Sequence, residues 1–186
     1  MDFARIFSDG LTYQSFLEKY ATDEQQRRWD EVFEAVALSA AQKELLRGFR
    51  REMKVLVVAG TWCGDCVNQC PIFGRLADEN ERIAIRFFDR DQNAELAQEL
   101  SVCGAPRVPS VLFLSEDGFV CGRYGDRTLA RYRQMAGQQF GAACPTGLVV
   151  PATEILASVV QDWLDEFERI QLMLRTSGRL RQLHGD

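Results

Sequence analysis

The sequence is short of several things that would otherwise direct its interpretation. It has a single histidine, His184, near its C-terminal end. A zinc site drawing on its thiols therefore has no obvious fourth ligand. It has no excess of positive charge. Lys and Arg number 22 against 27 Asp and Glu, a net charge of −5, and nucleic acid is not an expected partner, because phosphate binding needs clustered cations. The basic stretch Arg47 to Lys54 is interrupted by Glu52 and reads as a solvated helix end. No apolar run reaches the roughly 18–20 residues of a membrane span. The opening Met1 to Gly10 has neither the apolar core nor the small-residue cleavage site of a secretory signal. A soluble, cytoplasmic protein with no membrane partner is the expectation. There is no internal repeat and no low-complexity segment.

What the chain does have is cysteine. Six are spread along 186 residues, at Cys63, Cys66, Cys70, Cys103, Cys121 and Cys144. With no export signal, and with 46% hydrophobic residues to build a core, a disulfide framework is not needed. One reactive pair among otherwise free, packing thiols is the expectation.

Residues 1–50 read as helices. Thr22-Asp-Glu-Gln25 and Ser39-Ala-Ala-Gln42 fit the capping box. Trp29, Val32, Phe33, Val36 and Leu38 follow the first, with Leu45, Leu46 and Phe49 after the second. An earlier helix is predicted from about Thr12 to Tyr20. The pattern changes at Val55-Leu-Val-Val-Ala59, an apolar, β-branched run suited to a strand covered on both faces. A helix is predicted over 66–79, a second strand over Ile83–Phe88, and a helix over Asp91–Leu100. A third strand is predicted over Val111–Leu114 and a fourth over Phe119–Tyr124, joined through Glu116-Asp-Gly118 as a hairpin. The first two strands should be parallel through a right-handed crossover. A long helix over Ala152–Arg175 keeps Ile155, Val159, Trp163, Phe167, Ile170 and Leu174 on one face. Residues 126–151 read as a short helix followed by a loop.

Chemistry concentrates at Cys63-Gly64-Asp65-Cys66. The motif follows a buried strand and opens a helix. There the unpaired amides and the positive end of the dipole favour a Cys63 thiolate, the form that attacks disulfides. Cys66, one turn inside the helix, is placed to resolve the resulting mixed disulfide. Asp65 is a carboxylate between two thiols, which disfavours their ionisation. It is equally readable as a solvated helix-start residue, or as a local base for Cys66. Downstream, Pro109 stands at the start of the third strand, where proline is tolerated. A cis Val108–Pro109 bond would turn the Val108 backbone toward the dithiol.

Thr61-Trp-Cys-Gly-Asp-Cys66 resembles the Trp-Cys-Gly-Pro-Cys signature of the thioredoxin family. Pro71 falls where that family has its helix-kinking proline, and Val108-Pro109-Ser110 where it has its cis-proline. Asp91-Gln92-Asn93 and Gly125 have counterparts as well, so the likeness covers residues 51–125. The resemblance implies an α/β thioredoxin-like fold, here a sheet of about four strands, since the family's usual first strand is not evident. It also implies thiol–disulfide oxidoreductase activity. Cys63 is implied as nucleophile, Cys66 as resolver, Trp62 as a flat surface against the substrate, and Val108 and Pro109 as the substrate-side gate. Gly64 and Asp65 would tune the pair. Disulfide-containing proteins are the implied substrates, with a thioredoxin reductase as candidate electron donor and no bound cofactor. Two departures stand out. Val57 occupies the position of the family's buried carboxylate, and Asp65 replaces the motif's proline. The expected organisation is a helical extension over 1–50, a thioredoxin-like domain over 51–177 with 126–151 as an insertion, and a flexible tail over 178–186.

Two rival readings remain open at this level. One is a thioredoxin-like binding or adaptor module that uses its helical additions without turnover. The other is a metal carrier using Cys63, Cys66 and Cys70. Cys70, Cys103, Cys121 and Cys144 are expected to be packing residues, and Trp29 and Trp163 core residues.

Overall fold

The computed structural model describes residues 1–139 and 153–185 of the chain. Its N-terminal part is four helices: α1 (Phe3–Ser8), α2 (Tyr13–Tyr20), α3 (Asp23–Ala35) and α4 (Ala40–Arg47). Each begins at a side-chain cap, from Asp2, Thr12, Thr22 and Ser39 respectively. Both predicted capping boxes are closed, with Gln25 and Gln42 reaching back to the cap amides. Each such cap satisfies amides that the first helical turn leaves unpaired. The short α1 has no apolar periodicity long enough to announce it in the sequence.

The central sheet comprises β1 (Met53–Ala59), β2 (Ile83–Asp89), β3 (Ser110–Leu114) and β4 (Val120–Gly125), in the order β2-β1-β3-β4. β1 and β2 are parallel, as the crossover rule requires, and the β3–β4 hairpin is antiparallel. β3 also pairs antiparallel with β1, which makes the sheet mixed. Among the described residues, Leu11 is what bridges to Phe87 on the outer edge of β2, through reciprocal N–H···O bonds of 3.0 and 2.7 Å.

The connecting helices are α5 (Gly64–Ala77), α6 (Ala94–Glu99), α7 (Leu129–Gln139), α8 (Thr153–Thr176) and α9 (Gly178–His184). α5 is buried without a break from Cys66 to Phe73, as expected of a helix apolar nearly all round. α3 packs on one side of it and α8 on another. On α8 the predicted apolar stripe faces inward. Trp163 meets Phe73 edge-on at 4.5 Å and Tyr124 at 4.8 Å, while Phe167 meets Phe113 at 5.3 Å. The N-terminal helices join the same core through rings: Phe16 lies 5.4 Å and Tyr13 5.8 Å from Phe87.

Three expectations are overturned. Arg47–Lys54 is not simply a solvated helix end. Arg51 is buried, with its guanidinium on Glu116 at 3.0 Å, and Lys54 lies in β1. Residues 178–184 are not an unstructured tail but form α9, capped by Ser177 and seated by the buried Leu180. Cys103 does not pack: it is exposed, with φ of +52° in the left-handed region. Cys144 and the loop expected around it lie outside the described residues.

Candidate active site

β1 ends at Ala59, and the chain turns through Gly60 and Thr61 into α5. Cys63 is the helix N-cap residue, in extended conformation and without a side-chain cap of its own. Its amide donates to Gly60 O at 3.0 Å. This geometry leaves the thiol at the open end of the helix, partly exposed, while Cys66 is fully buried one turn on. The two thiols are close enough that each shifts the other's ionisation. Cys63 Sγ also lies 3.6 Å from the carbonyl oxygen of Val108. The Val108–Pro109 peptide is cis. The structure thus brings together Cys63, Cys66, Val108 and Pro109.

The electrostatics oppose the simplest expectation. The Cys63 thiol is held above its ordinary range. The hydrogen bond to Cys66 is the largest cause, followed by burial and the Cys66 charge, with Asp65 last. Cys66 is pushed well up, chiefly by complete burial, and burial likewise raises Cys70, its hydrogen-bonded neighbour on the next turn. Two interacting thiols lose their protons in steps that belong to the pair. The first proton leaves most easily from the more exposed sulfur, and a second ionisation beside it is strongly opposed. The helix terminus lowers the cost of that first step but does not outweigh desolvation.

Trp62 is exposed, but it is not a bare plate. The Arg90 guanidinium stacks 4.3 Å from the ring centroid. Against the indole sits Gly60, where a Cβ would fall 2.7 Å from the ring. One aromatic face therefore carries a cation.

Asp65 is neither solvated nor free to act as a base. Its carboxylate is 2.5 Å from Arg127 Nη2 and 3.7 Å from Arg131 Nε. Arg127 also holds Asp126 at 3.1 Å, and Arg107 reaches the same Asp126 oxygen at 3.2 Å. Burial alone raises the Asp126 carboxyl, yet the Tyr132 hydroxyl and the arginines carry it below its usual value. Behind this network sits buried Gln69. It donates to Asp65 O at 3.2 Å and Asp126 O at 2.9 Å, and accepts from Trp163 Nε1 at 3.1 Å. A buried amide is retained at low cost only when its hydrogen bonds are made in this way. Arg107, Arg127, Arg131 and Gln69 were not singled out from the sequence. The arginines approach the motif from distant parts of the chain, where no local spacing marks them, while Gln69 lies in α5 itself, one turn after Asp65.

Val57 is fully buried in β1, opposite Phe87 and Val111, so that position supplies no proton acceptor for Cys66. Pro71 lies inside α5 as expected. Among the described residues, no three His, Cys, Asp or Glu side chains are grouped as a metal site. Nor, among them, is any helix long and apolar enough to cross a membrane.

Comparison with known proteins agrees with this architecture. A protein of unknown function, PA1234 from Pseudomonas aeruginosa, superposes with a TM-score of 0.69 at 20% identity, covering 91% of this chain and 96% of its own. An HIV epitope scaffold gives 0.66 at 19% identity, covering 90% of this chain and 99% of the scaffold. At these identities the likeness is one of fold. No curated protein matches. The family model described as thioredoxin matches residues 10–137, so most of the N-terminal helical segment lies inside the match, and the chain belongs to the thioredoxin family.

Proposed function

We propose that the protein is a dithiol–disulfide oxidoreductase that reduces protein disulfides through Cys63 and Cys66. The observation that carries this reading is the approach of Cys63 Sγ to Val108 O at 3.6 Å, with the Cys66 thiol buried behind it one turn into α5. An extended substrate segment laid along Val108 brings its disulfide in front of Cys63. The Cys63 thiolate attacks one substrate sulfur, forming a mixed disulfide and expelling the other sulfur as a thiolate, which takes up a proton. Cys66, once deprotonated, attacks Cys63 Sγ and releases the second substrate thiol. The enzyme is left with a Cys63–Cys66 disulfide, and two electrons from an external reductant such as a thioredoxin reductase restore it. A reducing, cytoplasmic setting and the absence of a histidine within the motif favour the reductase direction.

Insulin reduction by wild type, Cys63→Ser and Cys66→Ser tests the reading. Wild type turns over and Cys63→Ser does not. Cys66→Ser accumulates a mixed disulfide visible by non-reducing mass spectrometry. Absence of turnover in the wild type, together with a partner complex that survives Cys63→Ser, replaces the enzyme with the adaptor reading.

A further inference from the structure

We infer that the N-terminal helices are part of the active site, and that Thr61 is the positioning residue through which they hold the Cys63 turn. The inference rests on the proposed dithiol chemistry.

Thr61 is almost wholly buried, two residues ahead of Cys63. Its carbonyl and its hydroxyl are both taken by the helical segment and not by the sheet. Its carbonyl accepts from Trp29 Nε1 on α3 at 3.1 Å. Its hydroxyl lies 3.1 Å from Tyr20 O, at the end of α2, and 3.1 Å from Gln25 Oε1. A hydroxyl has one proton, so these two acceptors share it. Gln25 is not a loose acceptor, because the same Oε1 takes the Thr22 amide at 3.0 Å in the capping box of α3. The box that starts α3 is thereby also the anchor of the catalytic turn. Trp29 is fully buried between Tyr13 and Phe16, so its N–H is a fixed donor.

The consequence is geometric. With both ends of Thr61 pinned, the Thr61–Trp62 peptide has one orientation. That peptide sets where Trp62 leaves the surface and where the Cys63 sulfur stands against the first amides of α5 and against Val108 O. The helix-end contribution to Cys63 ionisation falls off within one turn. A small rotation of this turn therefore changes both the thiol's acidity and its approach to substrate. The extension contacts the same helix again further along, where Gly74 lies so close to Phe33 that a Cβ would stand 3.0 Å from its ring.

The test uses the full chain. Thr61→Val keeps the shape of the side chain and removes the hydroxyl, while Thr61→Ser restores it. The readouts are the pH profile of iodoacetamide labelling at the Cys63 peptide, followed by mass spectrometry, and kcat/KM for insulin reduction. Thr61→Val is expected to move the labelling profile upward by about one pH unit and to lower kcat/KM about tenfold. Thr61→Ser is expected to stay within about twofold of wild type in kcat/KM. Gln25→Leu, at the exposed start of α3, removes one acceptor and supplies the same comparison if Thr61→Val does not fold. A wild-type pH profile and kcat/KM in the folded variant, with only the Tm lowered, overturns the inference. Should wild type fail to reduce insulin, the functional reading falls. The labelling profile still decides whether Thr61 positions Cys63.

Discussion

At the residue scale, the departure from the family motif at Asp65 is answered from outside the motif. A carboxylate next to a thiol opposes its ionisation, and Asp65 does raise Cys63. The Arg127 and Arg131 guanidinium groups stand on that carboxylate and offset part of its field. The two signs can be separated. Asp65→Ala removes the negative charge and leaves two cations near the sulfur, so the Cys63 pKa falls. Arg127→Gln leaves the carboxylate less compensated, so it rises. Each change is about one unit or less, since the opposite charges of the cluster partly cancel at the sulfur. Thiolate absorbance at 240 nm in a Cys66→Ser background reads both, and shifts of the same sign in the two variants would refute the compensation. A related pH dependence follows for the wild type. Cys63 is held above the ordinary thiol range by Cys66 and by burial, so it is mainly protonated at neutral pH. The reduction rate should climb with pH through about 8.5, the ordinary thiol value, without reaching a plateau below it. A bell with its maximum near neutrality contradicts the assignment.

At the element scale, the site is assembled where the end of β4 meets the start of β3. Gly125 closes β4 with φ of +136°, and a Cβ there would lie 2.4 Å from Pro109 O and 3.2 Å from Ser110 Cα. The obstacle is backbone that cannot move aside without displacing Val108 and Pro109 from Cys63. Gly125→Ala should therefore cost about 2 kcal/mol of stability and slow Cys63 labelling at the same time. A loss of stability with unchanged labelling would place the glycine outside the site. Much at this scale was legible in advance. Capping boxes, apolar runs and the hairpin turn are local signals, and each element they announced formed within a few residues of its expected bounds. The Cys63–Cys66 pair and Pro109 were legible for the same reason, since the spacing of a motif is a local property. The hold on Asp65 from Arg127 and the hold on Thr61 from Trp29 were not. They join residues far apart in sequence, and neither a lone arginine nor a buried tryptophan indicates what it will meet.

For the whole molecule, the question is whether residues 1–50 behave as an appendage or as part of one cooperative body. The buried core runs without interruption from Phe7, Phe16 and Trp29 through the sheet to Trp163 and Leu180. Leu11 is hydrogen-bonded to the edge of β2, and Asn80 ties the α4 end to the chain before β2 through Leu46 O at 2.8 Å and Phe49 O at 3.1 Å. Apolar burial shared across a boundary makes the parts unfold together, because opening one exposes the other's surface. Trp29→Ala removes the largest ring at this junction together with the Thr61 hydrogen bond, and large-to-small changes of this kind cost about 3–5 kcal/mol. Urea unfolding followed by far-ultraviolet circular dichroism and by Trp fluorescence should give one coincident transition for wild type and for the variant, shifted to lower urea in the latter. Two separated transitions, with the N-terminal helices lost first while Cys63 labelling keeps its native rate, would show that the extension is a dispensable attachment.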